Sequence, residues 1–299
     1  MSFIKPKRLV PGGVIGVVAP AGRVDPVSLH AGVARLSALG FQVCLGKYLE
    51  AAHRYFAGSD PQRAEDVARM FQSREVDAVV CARGGSGTAR ILPYLDPDIF
   101  SGDPKICVGA SDITTLLLFL SSRGWVTFHG PMVATQFGTQ STPRMEEMFL
   151  RILSGERLKM QFPGVLALRA GRVEGPLTGG CLSLLCTTIG TAYEIRTDGC
   201  ILFLEDTGEA PYRIDRMLSY LKGAGKFNHV LGVVFGQMPH CDPEALPEII
   251  MDVLSGFQFP ILFGFPSGHG DGTATLPLGT VCRLDTASGC LEMCEAAVR

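Results

Sequence analysis

The sequence predicts an α/β protein: a parallel-sheet N-terminal domain followed by a smaller, strand-rich α/β C-terminal domain. Three observations carry this reading. Continuous apolar runs alternate with amphipathic stretches through the first half, the pattern of a parallel sheet covered on both faces. Beyond about residue 155 the texture shifts to short apolar runs separated by turn residues. The 299 residues are 46% apolar and only 19% charged, enough for a sizeable core and poor in disorder-prone segments. The boundaries that follow are 1–155 for the first domain and 170–299 for the second.

Each element has a local reason. VIGVVAP (14–20) reads as a strand buried on both faces, and Asp25-Pro26 opens a helix with Leu29, Val33 and Leu36 on one side. FQVCLG is a second strand. SDPQRAEDVARMF is a helix with Ser59 or Asp60 as cap and Pro61 in its first turn. DAVVCA (77–82) is a third strand ending in the glycine loop RGGSG, and TARILPYL is a short helix. KICVGA (105–110) is a fourth strand, followed by a helix over 112–122, the strand WVTFHG and the helix TPRMEEMFLRIL. In the second half, LKMQF, VLALRAG and RVEGPLTG read as small strands, and GGCLSLLCTTIG as a glycine turn opening a helix. CILFLED (200–206), HVLGVVFG and FPILFGF are strands alternating with the helices YRIDRMLSYLKGAG and PEALPEIIMDVLSG. The segment from ATLPLG to the end reads as a hairpin.

Composition excludes several classes. A formal net charge of -2 and the lack of a long basic run argue against nucleic acid as a partner. The start, MSFIKPKRLVPGG, has no apolar segment behind its basic residues, and LLLFL is too short to span a bilayer, so neither a secretory signal nor a membrane partner is expected. The ten cysteines contain no C-x-x-C pair and suit free thiols in a reducing cytoplasm.

In open parallel sheets, chemistry gathers at the carboxyl ends of the strands. Three loops there stand out: RGGSG, Ser111-Asp112 and His129-Gly130. Ser111 sits where a strand turns into a helix, so it is either a helix cap or a nucleophile beside the N–H of Asp112. Gly109 allows the tight turn, but Ile113 stands where the usual G-x-S-x-G elbow has its second glycine. A serine nucleophile needs a base, an orienting acid and oxyanion donors. Among six histidines, His129 follows a strand at the crevice and His269 stands in the loop FPSGHGDG; both stay open as the base. Glu205, at the end of an apolar strand where an unpartnered carboxylate is costly, is the candidate acid, ahead of Asp206 and Glu209. Gly84 offers a second oxyanion N–H. Cys181, opening a helix after two glycines, is a competing thiol nucleophile for a cysteine hydrolase or amidotransferase. A non-catalytic binding module is the third reading.

Taken together, VIGVVAPAG, RYFAGSDPQRAEDV, ARGGSGTARILPYLD, VGASDITTLLLFL, TFHGPM, GGCLSLLCTTIGT, ILFLEDTGEAPYRIDRMLSYL and the LPLG after FPSGHG, in this order, resemble the LD-carboxypeptidases, or muramoyltetrapeptide carboxypeptidases. The resemblance implies a serine peptidase without metal or cofactor, with Ser111 as nucleophile, His269 as base and Glu205 as its orienter. It implies an oxyanion hole from the N–H groups of Gly84 and Asp112, with Gly85, Ser86 and His129 as candidates for touching substrate. It also implies a site between the two domains, a homodimer, and a small-molecule substrate. That substrate is either a cytoplasmic murein tetrapeptide met in peptidoglycan recycling or, as in microcin C immunity peptidases, an aminoacyl nucleotide analogue. The chain departs from the family's frequent residues at Ala110, Ser86 and Cys181, positions that bear on substrate choice.

Overall fold

The computed structural model describes residues 3–299. Its strands and helices follow in this order: β1 (Val14–Val18), α1 (Pro26–Ala38), β2 (Gln42–Leu45), α2 (Asp60–Gln72), β3 (Ala78–Cys81), α3 (Thr88–Ile91), β4 (Ile106–Gly109), α4 (Thr114–Ser121), β5 (Thr127–His129) and α5 (Pro143–Ser154) in the first half; then β6 (Lys159–Gln161), β7 (Leu166–Arg169), β8 (Arg172–Cys181), α6 (Leu182–Thr188), β9 (Ile201–Glu205), α7 (Pro211–Gly223), β10 (Gly232–Gln237), α8 (Ala245–Val253), β11 (Ile261–Gly268), β12 (Leu276–Leu278), β13 (Val281–Asp285) and β14 (Cys290–Met293). The strands form two sheets, a mixed α/β architecture as the sequence predicts.

The first sheet runs β12-β5-β4-β3-β1-β2 and is parallel except for β12. Its central strands are apolar on both faces because helices cover both sides; Ile15, Val17, Val79, Val80 and Val108 are completely buried. The helices start where the sequence provides caps. Asp25 accepts the Ser28 N–H at 2.8 Å ahead of Pro26. Ser59 and Gln62 form a reciprocal capping box around α2. Because β3 pairs with both β1 and β4, the loops after β1 and β3 part at a topological switch point, the usual place for a ligand crevice in such sheets. Arg63, 1% exposed, bridges that point: Nη1 donates to the carbonyls of Pro20 and of Gly87, the latter at 2.9 Å, and Nη2 pairs with Asp60.

The second sheet runs β6-β14-β13-β8-β9-β10-β11-β7, with β8, β9, β10 and β11 parallel at its centre. One face carries α6, α7 and α8 over Leu202, Leu204, Val233 and Phe235; the other packs Leu177, Phe203, Val234 and Leu262 into the core shared with the first half. α4 lies at the seam. Its sequence TTLLLFLS is apolar all round, which suits a helix covered on every side. Leu117 enters the first core and Leu118 the second.

Two expectations shift. GGCLSLL does not open with a turn: Gly179 and Gly180 lie within the long strand β8, just before its last residue Cys181, at φ of 135° and 146°, where a side chain at Gly179 would meet the Phe203 carbonyl at 1.9 Å. The C-terminal hairpin comprises only β13 and β14; β12 leaves it and pairs antiparallel with β5, Leu276 opposite His129 and Leu278 opposite Thr127. A strand from the second half thus closes the edge of the first sheet.

Candidate active site

The geometry starts at the end of β4. Ser111 has φ of 60°, a left-handed conformation rare for a residue with a β-carbon. It opens a 3₁₀ turn over Ser111–Ile113 that leads into α4. The helix-cap reading of Ser111 fails: neither the turn nor α4 takes a side-chain cap, and among the described residues the Ser111 hydroxyl has no hydrogen-bond partner. The strained turn instead presents Oγ to a cavity of about 320 Å³ lined also by Arg83, Gly84, Gly85, Gln136 and His269.

The RGGSG loop is docked onto this elbow. Thr88 N–H donates to Asp112 Oδ2 at 2.8 Å, so the residue after the serine holds the start of α3. Gly84 fits against the serine only because it lacks a side chain: a β-carbon there would stand 3.3 Å from the Asp112 nitrogen and closer still to Ser111. The first N–H groups of a helical turn have no partner inside it. The Asp112 N–H, and Gly84 across the gap, therefore border the space in front of Ser111 Oγ.

From the other side comes the acid–imidazole pair. Glu205, fully buried, ends β9, and His269 follows β11, the next strand but one. Glu205 Oε2 and His269 Nδ1 are 2.5 Å apart. With Nδ1–H donating to the carboxylate, Nε2 carries the ring's lone pair toward the cavity. Burial disfavours the His269 imidazolium, but the hydrogen bond and charge of Glu205, aided by Asp206, outweigh it and hold the pKa above the ordinary 6.5. Asp206 itself faces away, accepting the N–H groups of Ser183 at 2.8 Å and Thr207 at 2.9 Å, with its pKa raised by burial. Ser111, His269 and Glu205, 158 residues apart at their extremes, are brought together by the carboxyl ends of β4, β11 and β9.

Other candidates separate. Gly85 and Ser86 line a neighbouring cavity of about 520 Å³ with Arg23, Tyr55 and Arg83, at the switch point. Gly85 and Arg83 belong to both cavities, which makes them adjoining parts of one crevice. His129, expected to face substrate, does not: it is completely buried behind Glu205, because the antiparallel strand β12 covers the edge on which it lies. Cys181 is 2% exposed, and burial, with Glu205 and Asp206 nearby, pushes its thiol pKa well up, the reverse of a reactive thiol. The sequence does not announce the cavity wall formed by Thr135, Gln136, Thr139 and Gln140; it hangs on a π-helical turn over Val133–Phe137, for which the preceding HGPM is the one local signal.

Residues 15–130 match the model of the LD-carboxypeptidase N-terminal domain and residues 174–284 that of the LD-carboxypeptidase C-terminal domain. A probable murein peptide carboxypeptidase of Bacillus subtilis is 39% identical over 95% of this chain and 92% of its own length. The chain belongs to the LD-carboxypeptidase family. This chain is an enzyme, a serine-type carboxypeptidase of that family. Among solved structures, a muramoyltetrapeptide carboxypeptidase from Oxalobacter formigenes superposes with a TM-score of 0.84 at 27% identity, covering 94% of this chain and 97% of that one. The microcin C7 self-immunity protein MccF in complex with aspartyl sulfamoyl adenosine superposes with a TM-score of 0.92 at 25% identity, covering 99% and 100%. Among the described residues, no helix is long and apolar enough to cross a membrane.

Proposed function

We propose that this member of the LD-carboxypeptidase family releases the terminal D-alanine from the L-centre of a murein tetrapeptide, through a Ser111–His269–Glu205 triad. The observation that supports it most is the 2.5 Å contact between His269 and Glu205, with Ser111 and His269 on the wall of one cavity.

On this reading His269 Nε2 takes the Ser111 proton as Oγ attacks the carbonyl carbon of the scissile bond. The oxyanion forms against the N–H groups of Asp112 and Gly84. Protonated His269 then gives its proton to the departing amine nitrogen, and the C–N bond breaks. Water, deprotonated by the same imidazole, opens the acyl-enzyme and restores Ser111. Glu205 stays ionised throughout and stabilises the imidazolium. Arg83, the cation on the wall of this cavity besides the histidine, suits the terminal carboxylate of a carboxypeptidase substrate. The adjoining 520 Å³ cavity with Tyr55 and Arg23 suits the rest of the peptide.

The likeness to murein peptide carboxypeptidases supports a murein peptide, and the likeness to MccF supports a second reading, an aminoacyl-nucleotide analogue. Incubating the enzyme with purified tetrapeptide and, separately, with an aminoacyl-sulfamoyl nucleotide separates them by which one is cleaved. Ser111→Ala is expected to remove turnover of the preferred one while leaving the circular-dichroism spectrum intact. Retained turnover would overturn the nucleophile assignment. On the same reading the enzyme acts in the cytoplasm in peptidoglycan recycling, as a homodimer, which light scattering on the purified protein tests.

A further inference from the structure

The contact with His269 accounts for one carboxylate oxygen of Glu205. The other, Oε1, is fully buried and has no hydrogen-bond partner. Facing it at 4.0 Å is Nε2 of His129, which is also unpartnered, as is His129 Nδ1. Neither residue has any exposed surface. The ring of His129 is held edge-on against Phe203, its centroid 5.0 Å from the phenyl centroid, and its backbone is pinned between β4 and β12. A separation of 4.0 Å exceeds a hydrogen bond by about 1 Å and falls short of the roughly 4.5 Å or more that a bridging water spans. The spacing thus leaves no room for a water between the two atoms, and a shift of about 1 Å would bring them into direct contact.

The geometry points to His129 as a positioning residue: its neutral ring donates Nε2–H to Glu205 Oε1 and fixes the carboxylate that orients His269. This inference rests on the triad proposed above. Contacts of this kind are often long in a free enzyme and tighten when substrate is bound. The need is greatest once His269 has become an imidazolium. Glu205 must then keep its charge rather than take the proton, and an N–H on its second oxygen favours the ionised form. His129 is suited to donate without adding a charge of its own. Burial, only partly offset by Glu205 and reinforced by the nearby His269, pushes its pKa down to about 4. The charged or titratable groups acting on this pair are few. Glu205 and His269 face His129; Asp206, the next residue on β9's end, and Cys181, at the end of β8, act on Glu205's side.

The test compares His129→Phe, which keeps a flat ring without a donor, with His129→Gln, which restores an N–H. For His129→Phe, kcat is expected to fall roughly tenfold to a hundredfold, the worth of one hydrogen bond to a charged group, with KM within about twofold. The acid limb of kcat/KM is expected to move to higher pH, because a carboxylate stripped of one donor binds the imidazolium proton more strongly. His129→Gln is expected to regain most of the loss. Equal losses in both variants with an unmoved pH profile would make His129 a packing residue only. Should the variants fold poorly, nitrogen-15 histidine NMR on the wild type decides. The inference expects His129 as the Nε2–H tautomer, neutral across about pH 5.5 to 9, and shifted by Glu205→Gln. An Nδ1–H tautomer, or titration near neutrality, overturns it. Ser111→Ala is run in parallel: if that variant is inert but His129→Phe is unimpaired, the positioning role alone fails, whereas an active Ser111→Ala removes the triad itself.

Discussion

A β-carbon placed on Gly84 would lie 2.6 Å from Ser111 Cβ and 2.8 Å from Ser111 Oγ. The glycine loop and the strained serine are thus in van der Waals contact through positions with no room to spare. Gly84 itself has no positive φ, so alanine suits its backbone and the conflict is with Ser111 and, less severely, the Asp112 nitrogen. Gly84→Ala is expected to lower kcat by about 10²- to 10³-fold, as for loss of an oxyanion donor, with a far smaller change in thermal midpoint. Unchanged turnover on a tetrapeptide would remove the loop from the reaction.

On the proposed triad, the pH dependence follows from His269. Its pKa is held above 6.5 by Glu205, and only the neutral ring accepts the serine proton. Activity is therefore present above the raised pKa and is lost as pH falls through it, with the acid limb of kcat/KM above 6.5. In Glu205→Gln the carboxylate charge is gone while burial remains, so the limb moves to lower pH. The same variant is expected to lose kcat on the order of 10⁴-fold, as when the acid of a triad becomes an amide. A wild-type limb below 6 would contradict the assignment of His269 as base.

Gly268 governs whether the acid reaches the imidazole. It precedes His269 with φ of 125°, and a side chain there would come 2.7 Å from Glu205 Oε2 and 3.0 Å from the Gln237 carbonyl. Gly268→Ala carries both the backbone strain and the collision. We expect a loss of about 1–3 kcal/mol in stability by chemical denaturation and a drop in kcat of at least about tenfold. Full activity would mean that the short acid–imidazole contact is not used.

Cys181 provides the control for mechanism. Its thiol is sealed and kept protonated, and its N–H is spent on Thr114 Oγ1 at 3.2 Å. Cys181→Ala is expected to keep kcat within a few-fold of wild type, a small buried deletion relayed weakly to the site. Iodoacetamide on the folded enzyme is expected to label the exposed Cys44 and leave turnover intact. Inactivation in step with labelling of Cys181 would revive the cysteine-hydrolase reading.

Much of this was legible in the residues themselves. The buried strands β1, β3, β4 and β9 are uninterrupted apolar runs, and the caps Asp25 and Ser59 announce α1 and α2. Glu205 stood out because a carboxylate ending a run such as ILFL needs a partner, and it has one in His269. What escaped the sequence was decided at long range. Gly179 and Gly180 look like a turn, yet serve to bring β8 flush against the Phe203 backbone and the Thr114 side chain. His129 lies at the carboxyl end of a strand, the usual place for a substrate contact, but a strand 147 residues further along buries it. Nothing local in QFGTQ shows that it will roof a cavity.

The exchange of β12 between the halves has a structural cost for any attempt to separate them. The loop bearing His269 is strung between β11 in one sheet and β12 in the other, only seven residues long from Gly268 to Leu276. A fragment ending before residue 170 would present the backbone of Thr127–His129 as a bare margin open to adventitious pairing. The complementary fragment would carry its imidazole on a tether with nothing to fasten to. Neither piece is a free-standing module, and recombining halves from two relatives would succeed only where the borrowed strand still fits its host.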